Sequence, residues 1–294
     1  MLERYLLRYF LAVVDQGNFS RAAMACHVSQ PTLSAGIAKL EQLLGDRLFL
    51  RSNQRVQLTD GGTRFLGHAR RIEAEFNFAA QALTSTAAKP TLRLGILSSI
   101  PGDLVAQAVA QARPQDSHVF ELIHGTERDL VSALARGRVD AALGLVGRGA
   151  ARFLEESVVE EGYALAMPDG HPLSGAQSIA GEALADNVMI VRRHCEVLSE
   201  TSRYFTERGV RPHFAMRTTN DERVLQMVAA GIGVTVMPQS YRHPGVVQPR
   251  LSGFDVQRTL GWQFGHATEH LSEARPAIMA ALEQSVRERI ADAA

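Results

Sequence analysis

Arg192-Arg193-His194-Cys195 places one thiol behind two guanidiniums and an imidazole, just ahead of a predicted helix from Glu196 to Arg208. Neighbouring cations and a helix N-terminus both favour the thiolate, which is the nucleophilic form of cysteine. Cys195 is therefore a candidate reactive thiol toward oxidants or electrophiles. The same string admits a second reading, in which Arg193 and His194 bind an anionic effector and Cys195 only lines the pocket. The other cysteine, Cys26, falls on the apolar face of a short helix and reads as a small core hydrophobe. The sequence offers no catalytic residue set. It holds no nucleophile elbow, no glycine-rich loop after a strand, and no cysteine or histidine spacing of a zinc site. No cofactor is expected.

The second chemically equipped stretch lies near the N-terminus. Leu2, Leu6, Phe10 and Val13-Val14 recur at helical spacing over residues 2–16, and Gly17-Asn18 ends that helix. Ser20 is expected to cap a second helix, with Ala22, Ala23 and Cys26 on its inner face. A third helix starts near Pro31 and buries Leu33, Ile37, Leu40 and Leu44. Helix, tight turn, helix is the arrangement that lays a recognition helix in the major groove of double-stranded DNA. Gln30, Thr32 and Ser34 stand on its first turns, where glutamine can pair with adenine and threonine can offer a hydroxyl or a methyl. Two short strands around Ser52-Asn53-Gln54 read as a wing, with Arg51 and Arg55 aimed at phosphates or the minor groove. The candidate DNA-contacting set is Ser20, Arg21, Ser29, Gln30, Pro31, Thr32, Ser34, Lys39, Arg51 and Arg55.

Composition agrees with two kinds of domain in one chain. The 294 residues carry 31 basic and 31 acidic side chains. Residues 1–90 hold eleven Lys/Arg against seven Asp/Glu, a surplus of +4, and the remainder holds twenty against twenty-four. The basic half is the one with the DNA-reading pattern. Two cysteines do not make a disulfide scaffold, and the N-terminus shows neither a charged leader nor an apolar one. The expected location is cytoplasmic.

From Leu6 to Gly62 the string closely resembles the winged helix-turn-helix of LysR-type transcriptional regulators. The matching residues include Phe10, Val13, Phe19, Ala22-Ala23, Ser29-Gln30-Pro31, Leu33-Ser34, Leu40-Glu41, Leu48-Phe49, Arg51 and Leu58-Thr59. One departure is that Ala35, Gly36 and Ala38 stand where that family carries long polar or basic side chains, leaving Lys39 as the basic one.

From Gly61 to about Ala88 no proline occurs, and Phe65, Ala69, Ile72, Phe76, Ala79 or Ala80, and Leu83 form a heptad-like stripe. The stripe could pack on the C-terminal domain of its own chain. The resemblance instead implies pairing with a second copy, giving a homodimer or a dimer of dimers, with RNA polymerase as a candidate partner. Lys89-Pro90 breaks the helix.

Beyond residue 90, strands alternate with helices, which argues for parallel α/β lobes. Ligands in such folds bind beyond the carboxyl ends of strands. Ser98, Ser99, Thr126, Arg193, His194, Cys195 and Thr219 occupy those places, although the serines and threonines could equally be helix caps. Val139-Asp140-Ala141-Ala142 and Gly231-Ile232-Gly233 with Met237-Pro238 are similar to the periplasmic-binding-protein-like effector domain of the LysR family. The expected fold is thus α/β overall, with three parts. Residues 1–60 are a winged helix-turn-helix, 61–89 a linker helix, and 90–294 a two-lobed effector domain. Lobe I spans about 90–161 and 265–294, and lobe II about 162–264. The expected function is transcription regulation by a small molecule of unknown identity held between the lobes, or by the redox state of Cys195. A transport binding protein lacks a reason for the DNA head, an enzyme lacks its constellation, and a purely architectural DNA protein leaves the sensor idle.

Overall fold

The computed structural model describes residues 2–50, 56–84, 91–112, 119–148 and 153–292, with the backbone alone at 71, 74 and 77–84. Arg51, Arg55, the Ser52-Asn53-Gln54 turn and the Lys89-Pro90 break lie outside the described residues, as do the side chains of Ala79, Ala80 and Leu83. Two compact units divide the chain. One holds Met1–Ala88 with the short pieces Ala135–Gly137 and His266–Glu269, and the other holds the rest.

In the first unit, α1 (Arg4–Gln16), α2 (Phe19–Ala25) and α3 (Gln30–Leu44) precede a ladder of β1 (Phe49–Leu50) and β2 (Gln57–Leu58), followed by the long α4 (Asp60–Thr84). The apolar stripe of α1 is buried at Leu6, Leu7, Phe10 and Val13. Gly17 stops the helix at φ +61° and donates its N–H to the Val13 carbonyl at 2.9 Å. A side chain there would be forced into the left-handed region. Phe10 sits at the centre of the core, 5.3 Å from the ring of Phe49 and 5.2 Å from that of Phe65. Burying each such ring contributes roughly 1.5–3 kcal/mol. The first turns of α4 join this core through Phe65, Leu66 and Ala69. Phe76, further along, stays 46% exposed beneath the Arg4 guanidinium, which also grips Glu73 through two hydrogen bonds.

The second unit contains, in chain order, β3 (Thr91–Leu97), α5 (Gly102–Ala112), β4 (Val119–Gly125), α6 (Glu127–Ala135), β5 (Ala141–Leu145), β6 (Leu154–Pro168), β7 (Ser178–Ile179), β8 (Val188–Arg192), α7 (Leu198–Glu207), β9 (His213–Thr218), α8 (Asp221–Ala229), β10 (Thr235–Pro238), β11 (Val246–Val247), β12 (Arg250–Leu251), β13 (Gln257–Phe264) and α9 (Ala277–Ala291). The large sheet runs β10-β6-β13-β5-β3-β4, with β11 also on β6. It is mixed where a parallel sheet was expected. The pairs β3–β4 and β3–β5 are parallel, whereas β13 runs antiparallel to both β5 and β6. The cause is the 15-residue strand β6, whose partner β13 returns along it. Two further pairs, β8–β9 and β7–β12, are parallel.

Successive residues of β6 point to opposite faces. Tyr163, Leu165 and Met167 enter one core cluster with Val236 and Phe254, and Ala166 enters another with Ile190, Val224 and Tyr241. The terminal helix begins at Ala277. A single 3-10 turn at Glu269–Ser272 precedes it, and Pro276 stands as the N-cap residue. Proline disfavours helical backbone in the residue before it, so Arg275-Pro276 separates the two elements. No helix among the described residues is long and apolar enough to cross a membrane.

Candidate functional site

The candidate DNA-reading surface is assembled by caps. Asn18 is the N-cap of α2, and its Oδ1 accepts from the backbone N–H of Ser20 at 2.8 Å and of Arg21 at 3.1 Å. This corrects the expectation that Ser20 is the cap. Ser20 and Arg21 lie inside the helix with exposed side chains. His27 turns the chain at φ +56°, and Ser29 then caps α3. The Ser29 hydroxyl accepts from Thr32 N–H at 3.2 Å and bonds the Thr32 hydroxyl at 2.7 Å. Ser29 therefore positions the helix, while Pro31 fits its first turn. Gln30, Pro31 and Thr32 are exposed, and the Gln30 amide donates to the Ser34 hydroxyl at 3.1 Å across one helical turn. Both ends of that contact are polar groups presented outward, free to exchange partners.

Two other residues have different duties from those expected. Lys39 donates to Glu3 at 2.8 Å and to the Tyr5 hydroxyl at 3.0 Å, and these two bonds hold its ammonium well above the usual range. The lysine thus ties α3 to the residues at the start of α1. Gly36 is buried against Tyr9, whose ring would lie 2.6 Å from an added Cβ. Helix crossing, not base reading, explains the missing side chain. The start of the wing is anchored by Glu41, whose carboxylate accepts from Leu48 N–H at 2.8 Å and Phe49 N–H at 3.3 Å.

In the second unit the predicted residues separate. Thr126 caps α6, exchanging hydrogen bonds with Asp129, and those bonds hold the Asp129 carboxyl below its ordinary value. Thr219 is exposed, and the cap of α8 is Asn220. Ser98 donates its N–H to the Gly125 carbonyl at 2.9 Å. Arg193 and His194 are exposed; the Arg193 backbone N–H donates to the Thr218 carbonyl at 2.7 Å. The guanidinium at the thiol belongs to Arg192, whose Nη1 donates to Cys195 Sγ at 3.4 Å.

Cys195 and Ser99 are brought into one buried charge cluster. Arg192, with 1% of its side chain exposed, is held by both carboxylate oxygens of Asp221 and by the Val236 carbonyl, and Tyr241 donates to the same carboxylate at 3.2 Å. Arg258, fully buried, lies between Glu161 and Glu196, donates to the Ser99 hydroxyl at 2.7 Å, and reaches the Ser99 carbonyl at 3.1 Å. Ser99 in turn donates to Glu196 at 3.1 Å. Burial pushes the Glu196 carboxyl up, but Arg258 and Arg192 outweigh it and hold the group down at about 2. The thiol behaves in the opposite sense to expectation. Burial pushes Cys195 up, Arg192 pulls it down, and Glu196 pushes it up again, so the net direction is upward. The expected depression came from counting Arg193 and His194, which face solvent, and from overlooking Glu196.

Cys195 also lines a cavity of about 450 Å³ between α7 and the β8–β9 pair, with Leu198, Phe205, Phe214 and Val236 among its walls. Of the seven predicted effector residues, only Cys195 lines it. Reading by residue type missed Glu161, Glu196, Asp221 and Arg258. A period-two signal was present for two of them. Arg258 alternates with the buried Leu260, Trp262 and Phe264, and Glu161 with Tyr163, Leu165 and Met167.

Comparison with known proteins covers both units. Residues 5–63 match the model of the bacterial regulatory helix-turn-helix protein, lysR family, and residues 85–289 match the LysR substrate binding domain. The chain is 35% identical over 242 residues to the "Probable hydrogen peroxide-inducible genes activator" of Mycobacterium avium, covering 80% of this chain and 77% of that one. It is 28% identical over 269 residues to the DNA-binding transcriptional dual regulator OxyR of Escherichia coli strain K12, covering 87% of each. Among solved structures, full-length OxyR of Pseudomonas aeruginosa with a cysteine-to-aspartate change is similar at 25% identity. Its TM-score is 0.58, with 98% of each chain covered. A helix-turn-helix head and a sensor domain of one family, both matched in a single chain, make this protein a member of the LysR family, a DNA-binding transcriptional regulator rather than an enzyme.

Proposed function

We propose that this regulator senses oxidants, peroxide first among them, through Cys195. The observation that carries the reading is the thiol itself. It receives a hydrogen bond from the buried Arg192 at 3.4 Å and opens on a cavity large enough to admit a small oxidant. The Arg192 guanidinium that donates this N–H favours the thiolate that must attack, against the opposing effects of burial and Glu196. The relatives' printed names, hydrogen peroxide-inducible activators and OxyR, point the same way. In the reaction, the Cys195 thiolate attacks one peroxide oxygen, the O–O bond breaks, and the departing hydroxide takes a proton to become water. Cys195 is left as a sulfenic acid. The chain's other cysteine, Cys26, belongs to the first unit, so the sensor unit has no second thiol for a disulfide. A carboxylate effector at Ser99 is the less favoured reading, because Glu196 already takes that hydroxyl.

On the DNA side, Gln30, Thr32 and Ser34 are assigned to base edges, and Ser20, Arg21, Arg51 and Arg55 to phosphates. Paired α4 helices of two copies would present two such heads to half-sites of double-stranded DNA. Contact with RNA polymerase would follow from activation at a promoter. The test is peroxide titration of the full chain, read by intact mass and by binding to its operator. One added oxygen at Cys195 is expected, with a change in operator binding that Cys195→Ser abolishes and Cys26→Ser leaves in place. A Cys195→Ser protein that responds to peroxide like wild type would end the proposal.

A further inference from the structure

The buried cluster beside Cys195 carries more acid than base. Two guanidiniums, Arg192 and Arg258, are shared among three carboxylates, those of Asp221, Glu161 and Glu196. Asp221 belongs to Arg192 and Glu161 to Arg258, which leaves Glu196 as the surplus. Its side chain is 6% exposed, and its second oxygen, Oε2, is buried without a hydrogen-bond partner. The buried Tyr163 hydroxyl faces the same carboxylate, and burial together with Glu196 pushes its ionisation up. The two guanidiniums stabilise the charge of Glu196, yet a buried carboxylate oxygen without a partner still calls for an explanation. The neighbour of Glu196 in sequence and in space is the thiol.

We propose that Glu196 is a positioning residue for the Cys195 reaction. Seated on Ser99 and Arg258, its carboxylate gives the buried cluster one negative charge in excess and so sets the oxidant dose at which the thiol responds. The consequence for sensing rests on the reading of Cys195 as the sensing thiol; the electrostatic assignment does not. A thiolate at Cys195 would be the fourth anion against two cations. The groups acting on the sulfur are Arg192 at the end of β8, Glu196 on its own turn, Asp221 at the start of α8, and Tyr163 of β6. Tyr241 acts through Asp221, and Arg258 with Glu161 stands behind Glu196. Burial and Glu196 together hold the sulfur in its thiol form against the pull of Arg192. The same carboxylate binds the Ser99 turn, so a change at the sulfur also bears on the Ser99–Arg258 attachment.

The experiment uses the full chain in a Cys26→Ser background, so that Cys195 is the only thiol. Its alkylation by iodoacetamide is followed across pH for wild type, Glu196→Gln and Glu196→Asp. Glutamine keeps the shape and can still accept from Ser99, but it removes the charge. Its inflection is expected to fall by about one pH unit, with alkylation about 10-fold faster below that inflection. Aspartate keeps the charge and is expected to stay near wild type. A Gln profile that superimposes on wild type overturns the proposal, and so does an Asp profile that falls as far as Gln. Should Glu196→Gln not fold, Glu196→Leu removes the same charge in an apolar shape and carries the same expectation. A parallel peroxide arm, read by dimedone capture of the sulfenic acid, is expected to show the same roughly tenfold acceleration. Shifted alkylation without dimedone capture in any variant would remove the sensing reading and leave the charge assignment standing. Capture in wild type with unshifted alkylation would do the reverse.

Discussion

The head and the sensor satisfy their polar groups in opposite ways. In the head, the described candidate DNA-contacting side chains lie at the surface, and apart from Lys39 their bonds run to neighbours two to four residues away. Asn18 bonds Ser20 and Arg21, Ser29 bonds Thr32, and Gln30 bonds Ser34. In the sensor, apart from the local Arg192–Cys195 contact, the charged side chains are buried and bonded across 29 to 159 positions. Arg192 meets Asp221 at the near end of that range, and Arg258 meets Ser99 at the far end. A surface that reads a partner must leave its groups free to exchange bonds. A site that responds to a small reactive molecule can hold its charges in the interior, where low dielectric strengthens each interaction. Stability and function are therefore loosely coupled in the head and tightly coupled in the sensor.

The comparison breaks most sharply if Arg258 proves dispensable. Arg258→Met leaves the carboxylates of Glu161 and Glu196 buried without their cation. A loss of about 3–5 kcal/mol in the stability of the sensor unit is expected, read by urea unfolding, with the head's own transition little changed. A loss below about 1 kcal/mol would mean that the cluster relaxes to solvent and that the sensor is no more tightly bound together than the head.

Acid titration sharpens the same contrast. Glu196 is held at about 2 in the folded state against an ordinary value of 4.5. A depressed carboxyl contributes stability that is fully present above pH 4.5 and is lost as pH falls toward 2. The contribution is on the order of 3 kcal/mol and disappears in Glu196→Gln, where that part of the acid dependence should flatten. Equal acid slopes for wild type and Glu196→Gln would place the acid sensitivity elsewhere.

A smaller effect is expected at the foot of α4. An added Cβ at Gly62 would lie 2.1 Å from the Leu48 carbonyl oxygen, a backbone atom that cannot swing aside. Gly62→Ala should cost about 1–3 kcal/mol in the head and weaken operator binding, because β1 must move. Unchanged thermal unfolding of the head would show that this junction is looser than its geometry.

The same difference decides what could be read in the sequence. Head elements follow from local rules: helical spacing of Leu6, Phe10 and Val13, a serine cap at Ser29, and Gly17 and Gly45 as stops. In the sensor, β6 has no clear apolar run at its start, where Glu155-Glu156 and Glu160-Glu161 interrupt it. Glu161 is in fact a core residue whose partner lies 97 positions away. Residue type alone does not separate Arg192 from Arg193, and β8, with Met189 and Ile190 both buried beside Arg192, has no clean alternation to assign their faces. Cys195 was legible by type, yet the direction of its ionisation was not, because it depends on Glu196 being inward. Long-range pairing has no local signature beyond strand alternation, and alternation is the one signal that would have found Arg258 and Glu161.

The smallest expected effect tests the head's side of the comparison at the cap of α2. Asn18 accepts two backbone N–H groups at the start of α2, whereas Ser20 sits one residue inside the helix with its hydroxyl exposed. Asn18→Ala leaves those donors to water and should cost about 1 kcal/mol. Ser20→Ala should change head stability by no more than about 0.5 kcal/mol. If Ser20 contacts phosphate, its loss appears only in operator affinity at low salt, with unfolding unaffected. Two variants two residues apart would then separate the group that builds the surface from the group that uses it. Comparable stability losses at both positions would mean that capping is shared between them and that reading and folding are not separable even here.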